Sequence, residues 1–377
     1  MNRTRTWLPA LGLLCVLSSS AVAQEGWDQE DAYIPRPELE DDYFATPDFS
    51  TYGSGPRPPE GLYFNYDYLR MVVSPADTAF IGQPQPDALD TGEFKTQFQN
   101  GSRIEFGTRN GNQGWLFSGL TIYANQKFDA NDVDIDIGAP ITGFDLDTKV
   151  ENNTRIYGCE VMRTWRKEPR SRPYAPIFEV MWGLRYLYVK DRFNVDITND
   201  IVVIDPMDPM DAHDDVVVAS SPKAFLNSQT ENNLFGPQIG YRLSKQNGPW
   251  VFANEARLFT AFNFQSARQK FGTDNFVFGA ITFPDSGLDA TYVRQTSHAT
   301  EFAPMAEIRF DIAYQLTRRC RARFGYTGMW ISELARASTM VNYSGNGTNV
   351  VPVGIAVNAN AQDMWTQGFH LGFEVNH

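Results

Sequence analysis

The chain has 377 residues, a net charge of −13, 42% hydrophobic and 14% aromatic residues, and three cysteines; its mean hydropathy is −0.37. No apolar run approaches the roughly 18 residues that a membrane helix requires, so a helical membrane protein is excluded. The acid excess, taken over the whole chain, argues against nucleic acid and against anionic lipid headgroups as partners.

In chain order, residues 1–23 have the form of a cleaved secretory signal peptide. Arg3 and Arg5 make the charged start, Trp7 to Val16 the apolar stretch, and Ala21-Val22-Ala23 the small-residue cleavage site. Cys15 follows Leu14 rather than a small residue, so no lipid attachment is expected. Removing the leader takes away two arginines and leaves a net charge of −15. It also leaves only Cys159 and Cys320, too few for a disulfide framework. Residues 24–60 are rich in proline (Pro35, Pro37, Pro47, Pro56, Pro58, Pro59) and acid (Asp28, Glu38, Glu40, Asp41, Asp42). Such composition cannot bury a core and predicts a disordered, semi-extended periplasmic tether.

From residue 61 to 377 the sequence reads as strands. Between Phe302 and Leu316 the even positions include Phe302, Ala306, Ile308, Phe310, Ile312, Tyr314 and Leu316, whereas the odd ones include Glu307, Arg309, Asp311 and Gln315. This is two-residue alternation with one greasy and one charged face. It restarts after Thr317-Arg318-Arg319 with Cys320, Ala322, Phe324, Tyr326 and Trp330 opposite Arg321, Arg323 and Thr327. An apolar face of about fifteen residues is far longer than the ~5–6 of a soluble strand.

Ten such strands are predicted, over residues 62–71, 94–109, 115–125, 154–166, 177–192, 232–243, 250–264, 301–316, 320–331 and 364–376. Five long connections alternate with four short ones, the first short one carrying the turn pair Asn110-Gly111. That asymmetry is the mark of an outer-membrane barrel, with short periplasmic turns, longer extracellular loops and an even strand count. The expected fold is therefore all-β: a closed, antiparallel, up-and-down transmembrane β-barrel of about ten strands, or twelve if the second or third long loop adds a pair. Trp115, Trp165 and Trp250 beside short turns, with Trp330 and Trp365 beside a long loop, fit two aromatic girdles; Trp182 falls mid-strand. Cys159 and Cys320 are expected as free thiols facing lipid. In the third strand Trp115, Phe117 and Tyr123 compete with Leu116, Leu120 and Ile122 for the lipid face.

The polar parity supplies the candidate lumen-lining residues: Arg103, Glu105, Glu179, Arg185, Glu255, Arg257, Glu307, Arg309, Asp311, Arg321, Arg323 and Glu374, with Lys95, Arg109 and Glu160 on the same faces. Balanced charge in so small a barrel predicts side chains pairing across a narrow or plugged lumen, since open aqueous channels belong to barrels of about 16–18 strands.

Asn232-Asn233-Leu234-Phe235-Gly236-Pro237-Gln238-Ile239-Gly240, Phe324-Gly325-Tyr326-Thr327-Gly328-Met329-Trp330, and Trp365-Thr366-Gln367-Gly368-Phe369-His370-Leu371-Gly372-Phe373-Glu374 together resemble the outer-membrane β-barrel porin family seven of planctomycetes. Trp182-Gly183-Leu184-Arg185-Tyr186-Leu187 matches the mid-barrel strand of that family. The resemblance implies a signal peptide and a C-terminal barrel, and no catalytic residues.

Two constellations could carry chemistry. The run Asp205 to Asp215, with His213, offers hard oxygen ligands and an imidazole, but no known loop spacing; Asp132, Asp134 and Asp136 lack the glycine and terminal glutamate of a calcium loop. The second triplet reads better as a strand extension. His213 and His298, with Asp211 or Asp214, are the residues from which a rim-located hydrolase would be built; the other imidazoles are His370 and His377. No serine or cysteine has nucleophile surroundings. The reading is a non-enzymatic, porin-like barrel with a narrow charged lumen and five long extracellular loops, in the outer membrane of a double-membraned bacterium. A non-conducting structural or surface-interaction barrel is the alternative. No cofactor or metal is expected; the expected partners are outer-membrane lipid, the barrel-assembly machinery and small polar solutes.

Overall fold

The computed structural model describes residues 61–77, 96–130, 146–167, 176–199, 223–274, 293–317, 319–345, 350–356 and 359–376. All lie in the compact unit Tyr43–His377. The leader, the tether, Lys95, the Asp132–Asp136 and Asp205–Asp215 runs and His377 fall outside the described residues.

Among the described residues twelve strands are formed: β1 (Gly61–Val73), β2 (Gln99–Asn110), β3 (Gln113–Ala130), β4 (Leu146–Lys167), β5 (Ile177–Asn199), β6 (Lys223–Asn247), β7 (Trp250–Asp274), β8 (Val293–Gln315), β9 (Cys320–Leu334), β10 (Val341–Gly345), β11 (Val350–Ile355) and β12 (Gln362–Asn376). Ten of them close a barrel in the order β1-β12-β9-β8-β7-β6-β5-β4-β3-β2, all neighbours antiparallel. The barrel is thus ten-stranded, and the extra pair is not part of its wall. It is the separate β10–β11 hairpin, carried in the connection after β9; residues 131–145 and 200–222 of the second and third long loops lie outside the described residues. Closure gives every wall strand a partner on both sides, as a wall without water on its outer face demands.

The predicted strands are present, but several run further. β5, β6 and β7 extend to Asn199, back to Lys223 and on to Asp274. In these extensions the outer face turns largely polar (Asn194 and Asp196 in β5, Asn227 and Gln229 in β6, Arg268 and Lys270 in β7), so the outward apolar alternation used to delimit the strands ends before the backbone ladder does. β2 starts later than predicted, at Gln99. Two hairpins are closed by two-residue turns, with Gly111 (φ 57°) and Gly248 (φ 59°) in the first central position. Only glycine takes that position without strain in a II′-type loop.

Burial alternates along each wall strand, as in β1, where Tyr63, Asn65, Asp67, Leu69, Met71 and Val73 are buried and Leu62, Phe64 and Tyr68 are exposed. The outer face is aromatic: Phe106 stacks on Phe117, Trp250 meets Tyr314 edge to face, and Trp330 lies against Trp365. Trp182 sits in mid-band and, at 60%, is the most exposed tryptophan among the described residues. In β3 the aromatic set faces outward, while Leu116, Leu120 and Ile122 are buried inside. Both remaining cysteines are free; Cys159 is exposed and Cys320, at the start of β9, is half-buried.

Candidate functional site

The inside of the barrel is layered along its axis, and the strand directions give the order of the layers. Connections 111–112, 248–249 and 316–319 mark one end, here the turn end, where β1 also begins and β12 finishes. Above the turn end lies a charged belt. In β1 Asp67 belongs to it, in β2 Arg103 and Glu105, in β4 Glu160, in β5 Arg185, in β7 Glu255 and Arg257, and in β8 Glu307 and Arg309; all are buried.

The geometry of the belt is decided by pairs between strands that are not neighbours. Arg185 on β5 reaches Glu307 on β8 at 2.6 Å, and it also lies 3.7 Å from Glu160 on the adjacent β4. Arg257 on β7 bonds Glu160 on β4 and lies 3.7 Å from Glu105 on β2. Arg309 on β8 bonds Glu105 on β2 and Glu307 beside it, the latter at 2.7 Å. Arg103 on β2 donates to Thr327 on β9 at 3.1 Å. The partners on non-neighbouring strands stand three to five strand positions apart around the wall, so their side chains meet over the axis. Four carboxylates (Glu105, Glu160, Glu255, Glu307) thus face four guanidiniums (Arg103, Arg185, Arg257, Arg309), all eight of them buried. Planar, multi-donor guanidinium is the cation suited to such a lattice.

Two further groups sit beside the belt. Arg242 on β6 lies 2.7 Å from Glu255 and 3.8 Å from Glu179. Asp311 on β8 accepts from Arg323 on β9 at 2.9 Å and contacts His370 Nε2 on β12 at 2.7 Å, while Arg323 lies 3.9 Å from Asp67. Nearer the turn end, Arg321 pairs with Glu374 at 3.1 Å. Two glycines make room here. A Cβ at Gly325 would stand 2.5 Å from the His370 ring, and one at Gly372 would overlap the Asp67 carboxylate.

All twelve sequence-derived candidates therefore project from the inner face, ten of them buried and Arg321 and Glu374 half-buried. Asp67, Arg242 and His370 belong to the same assembly and are absent from that set. Their parity would have identified Asp67, which shares a face with Asn65, and Arg242, which shares one with Asn232 and Gln238.

Beyond the belt, toward the end with the long connections, the interior is apolar. Leu69, Leu120, Ile122, Ile156, Leu187, Leu234, Phe259, Met305, Met329, Ile331 and Met364 form one buried cluster. Beyond that again, the last two residues of β9 and the start of the connection that follows it, residues 333–340, turn into the barrel mouth. Glu333 takes a left-handed φ of 55°, and its carbonyl accepts from Asn263 at 2.7 Å and Gln265 at 2.9 Å. The Ala335 carbonyl accepts from Thr230 (2.8 Å) and Asn232 (2.9 Å), and Ser228 donates to the Ala337 carbonyl at 2.7 Å. Arg336, fully buried, pairs with Asp191 at 3.0 Å, and the Ala337 N–H donates to the same carboxylate. Two small cavities among the described residues, one beside Gln265 and Ala335 and one beside Glu160 and Arg185, hold about 10 Å³ each, room for one water.

Of the rim hydrolase residues, His298 is exposed near the long-connection end of β8, and His213, Asp211 and Asp214 lie outside the described residues. Among the described residues no group of three His, Cys, Asp or Glu side chains is placed to hold a metal ion.

The model of the family described as "Putative beta barrel porin-7" matches residues 71–377. The chain belongs to this family. Comparison with curated proteins gave no match. Among solved structures, this porin-family barrel is similar to the outer membrane protease OmpT from Escherichia coli, at 9% identity, with 85% of this chain and 97% of that one covered and a TM-score of 0.44. The toluene transporter TodX of P. putida (7% identity, 85% and 91% covered, TM-score 0.27) and Neisserial surface protein A (9%, 85% and 99%, 0.25) are similar too. These likenesses are too distant to inform function. Fold and family place the protein among bacterial outer-membrane β-barrels.

Proposed function

We propose that this barrel has a narrow charged lumen that is closed to free diffusion at rest, and that it serves as an outer-membrane scaffold presenting its long connections at the cell surface. The observation that carries this reading is the set of ion pairs over the axis, Arg309 with Glu105, Arg257 with Glu160 and Arg185 with Glu307. A solute would have to separate them and then cross the apolar layer. In this reading the turn end faces the periplasm, where the barrel-assembly machinery acts. A cleaved signal peptide (1–23) and an acidic tether (24–60) precede the barrel, and five long loops lie outside. The role is non-enzymatic, in keeping with membership of a porin family.

A conducting state is the second reading, favoured by one observation. Residues 335–340, past the end of β9, are held in the mouth by side chains donating to their carbonyls rather than by pairing in the wall, so the mouth can open without breaking the wall. The test is single-channel conductance of the refolded chain in a planar bilayer, with small polar solutes and salt on either side. The expected result is a silent wild type that still resists SDS until heated. Steady step-like conductance from the unmodified chain would overturn the closed reading.

A further inference from the structure

The outer face carries a second charged surface, opposite in kind to the chain as a whole. On four of the five neighbouring strands β4 to β8, β6 excepted, the outward side chains beyond the aromatic band include Arg155, Lys190, Arg192, Arg268, Lys270 and Arg294. The band they cap ends in Tyr157, Tyr188, Phe264 and Phe302. The register sets like charges opposite each other twice: Arg155 faces Lys190 across β4–β5, and Lys270 faces Arg294 across β7–β8. Opposed like charges destabilise an antiparallel pair. Within the patch Glu231 holds Lys190 at 3.1 Å, and Gln229 takes Arg192 at 3.0 Å. The patch spans about 19 Å of wall at roughly 4.8 Å per strand.

We infer that this patch binds the phosphate groups of anionic lipid in the outer leaflet. The inference rests on the membrane reading above. Depth is the argument for lipid rather than a soluble polyanion: Arg155 and Lys190 stand two residues beyond Tyr157 and Tyr188, and Arg192 and Arg268 four beyond Tyr188 and Phe264, where headgroups begin, while Lys270 and Arg294 extend the patch outward from there. Basic side chains at that level gain from anionic headgroups and lose little to screening within the interface. The acidity of the whole chain, which argued against such lipids, does not apply to this face. On it Glu151, Asp196 and Glu231 stand against the six cations named, and many of the barrel's other acids are directed into the lumen, Glu105, Glu160, Glu255 and Glu307 among them.

The test uses the full refolded chain in phosphatidylcholine nanodiscs, with and without phosphatidylglycerol or lipid A, extracted gently and weighed by native mass spectrometry for retained lipid. Two variants are compared, Arg268→Gln/Lys270→Gln/Arg294→Gln and Arg155→Gln/Arg192→Gln, each first shown to shift on heating in SDS gels; the second serves if the first does not refold. The expected result is selective retention of the anionic lipid by the wild type, falling about tenfold in a variant. Equal retention of neutral and anionic lipid, undiminished retention in the variants, or preference for a soluble acidic polysaccharide would each overturn the proposal. Failure of the wild type to insert into any bilayer would instead sink the membrane reading beneath it.

Discussion

Arg309 on β8 bonds the Glu105 carboxylate on β2, across the barrel interior and more than two hundred residues away in sequence. The pair joins two walls that share no ladder, and its removal has a defined consequence. Arg309→Ala leaves Glu105, Glu255 and Glu307 buried around a missing cation. Breaking a buried pair from one side costs about 3–5 kcal/mol. Urea unfolding of the refolded variant should show that loss, whereas Glu105→Leu/Arg309→Met, which removes both charges, should recover most of it. A single variant as stable as wild type would mean that water already compensates these carboxylates.

The inward segment at the mouth is open to a protease test. Asp191 accepts from Arg336, from the Ala337 N–H and from Thr154. In Asp191→Asn the buried guanidinium loses its counter-charge, and trypsin should cut after Arg336 at a rate at least about tenfold above wild type, following the equilibrium population of the open segment. Equal resistance of the two proteins would show that the carbonyl contacts from Thr230 and Asn232 hold the segment unaided.

Glycines separate the packed inner face from the open outer one. A methyl group added at Gly119 would meet nothing within 4 Å, whereas one at Gly372 would run into Asp67 and the β1 backbone. Gly119→Ala is expected to change stability by less than about 0.5 kcal/mol. Gly372→Ala should lose about 1–3 kcal/mol by overpacking, read as a lower temperature for the heat-induced gel shift. If both variants shift alike, the inner face at Gly372 is looser than its contacts indicate.

Cys159 tests which solvent meets the wall. It is exposed on β4, two residues from Tyr157 on the same outward face. In lipid vesicles it should react with an apolar maleimide and resist a charged one, and become accessible to both in urea. Rapid labelling by the charged reagent in vesicles would place this face in water.

How much of this was legible depended on contrast between the two sides of each strand. In β8 and β9 one side meets lipid and the other the charged belt, so Ile308, Phe310 and Ile312 separate cleanly from Glu307, Arg309 and Asp311. In β3 the inner residues Leu120 and Ile122 enter the apolar layer. Both faces are then greasy, and parity alone cannot choose between them. The segment at the mouth left no periodic trace, because its place is set by contacts such as Asn232 with Ala335, made between distant parts of the chain. The sequence offers His370 only as one of four imidazoles; its place beside Asp311 depends on a neighbour on another strand.

The seam of the barrel has a kinetic consequence. β1 pairs with β12 along its whole length, from Tyr63 opposite Asn376 to Val73 opposite Thr366. Most other wall strands pair with their chain neighbours and can zip up in succession, but β1 has to wait for the last strand to arrive. Contacts of such long sequence separation slow folding, because the loop entropy is lost before they form. Until then the edges of β1 and β12 stay open and prone to aggregate. The chain therefore has to be kept soluble through export, and closure of this seam is the step at which assistance would speed its folding most.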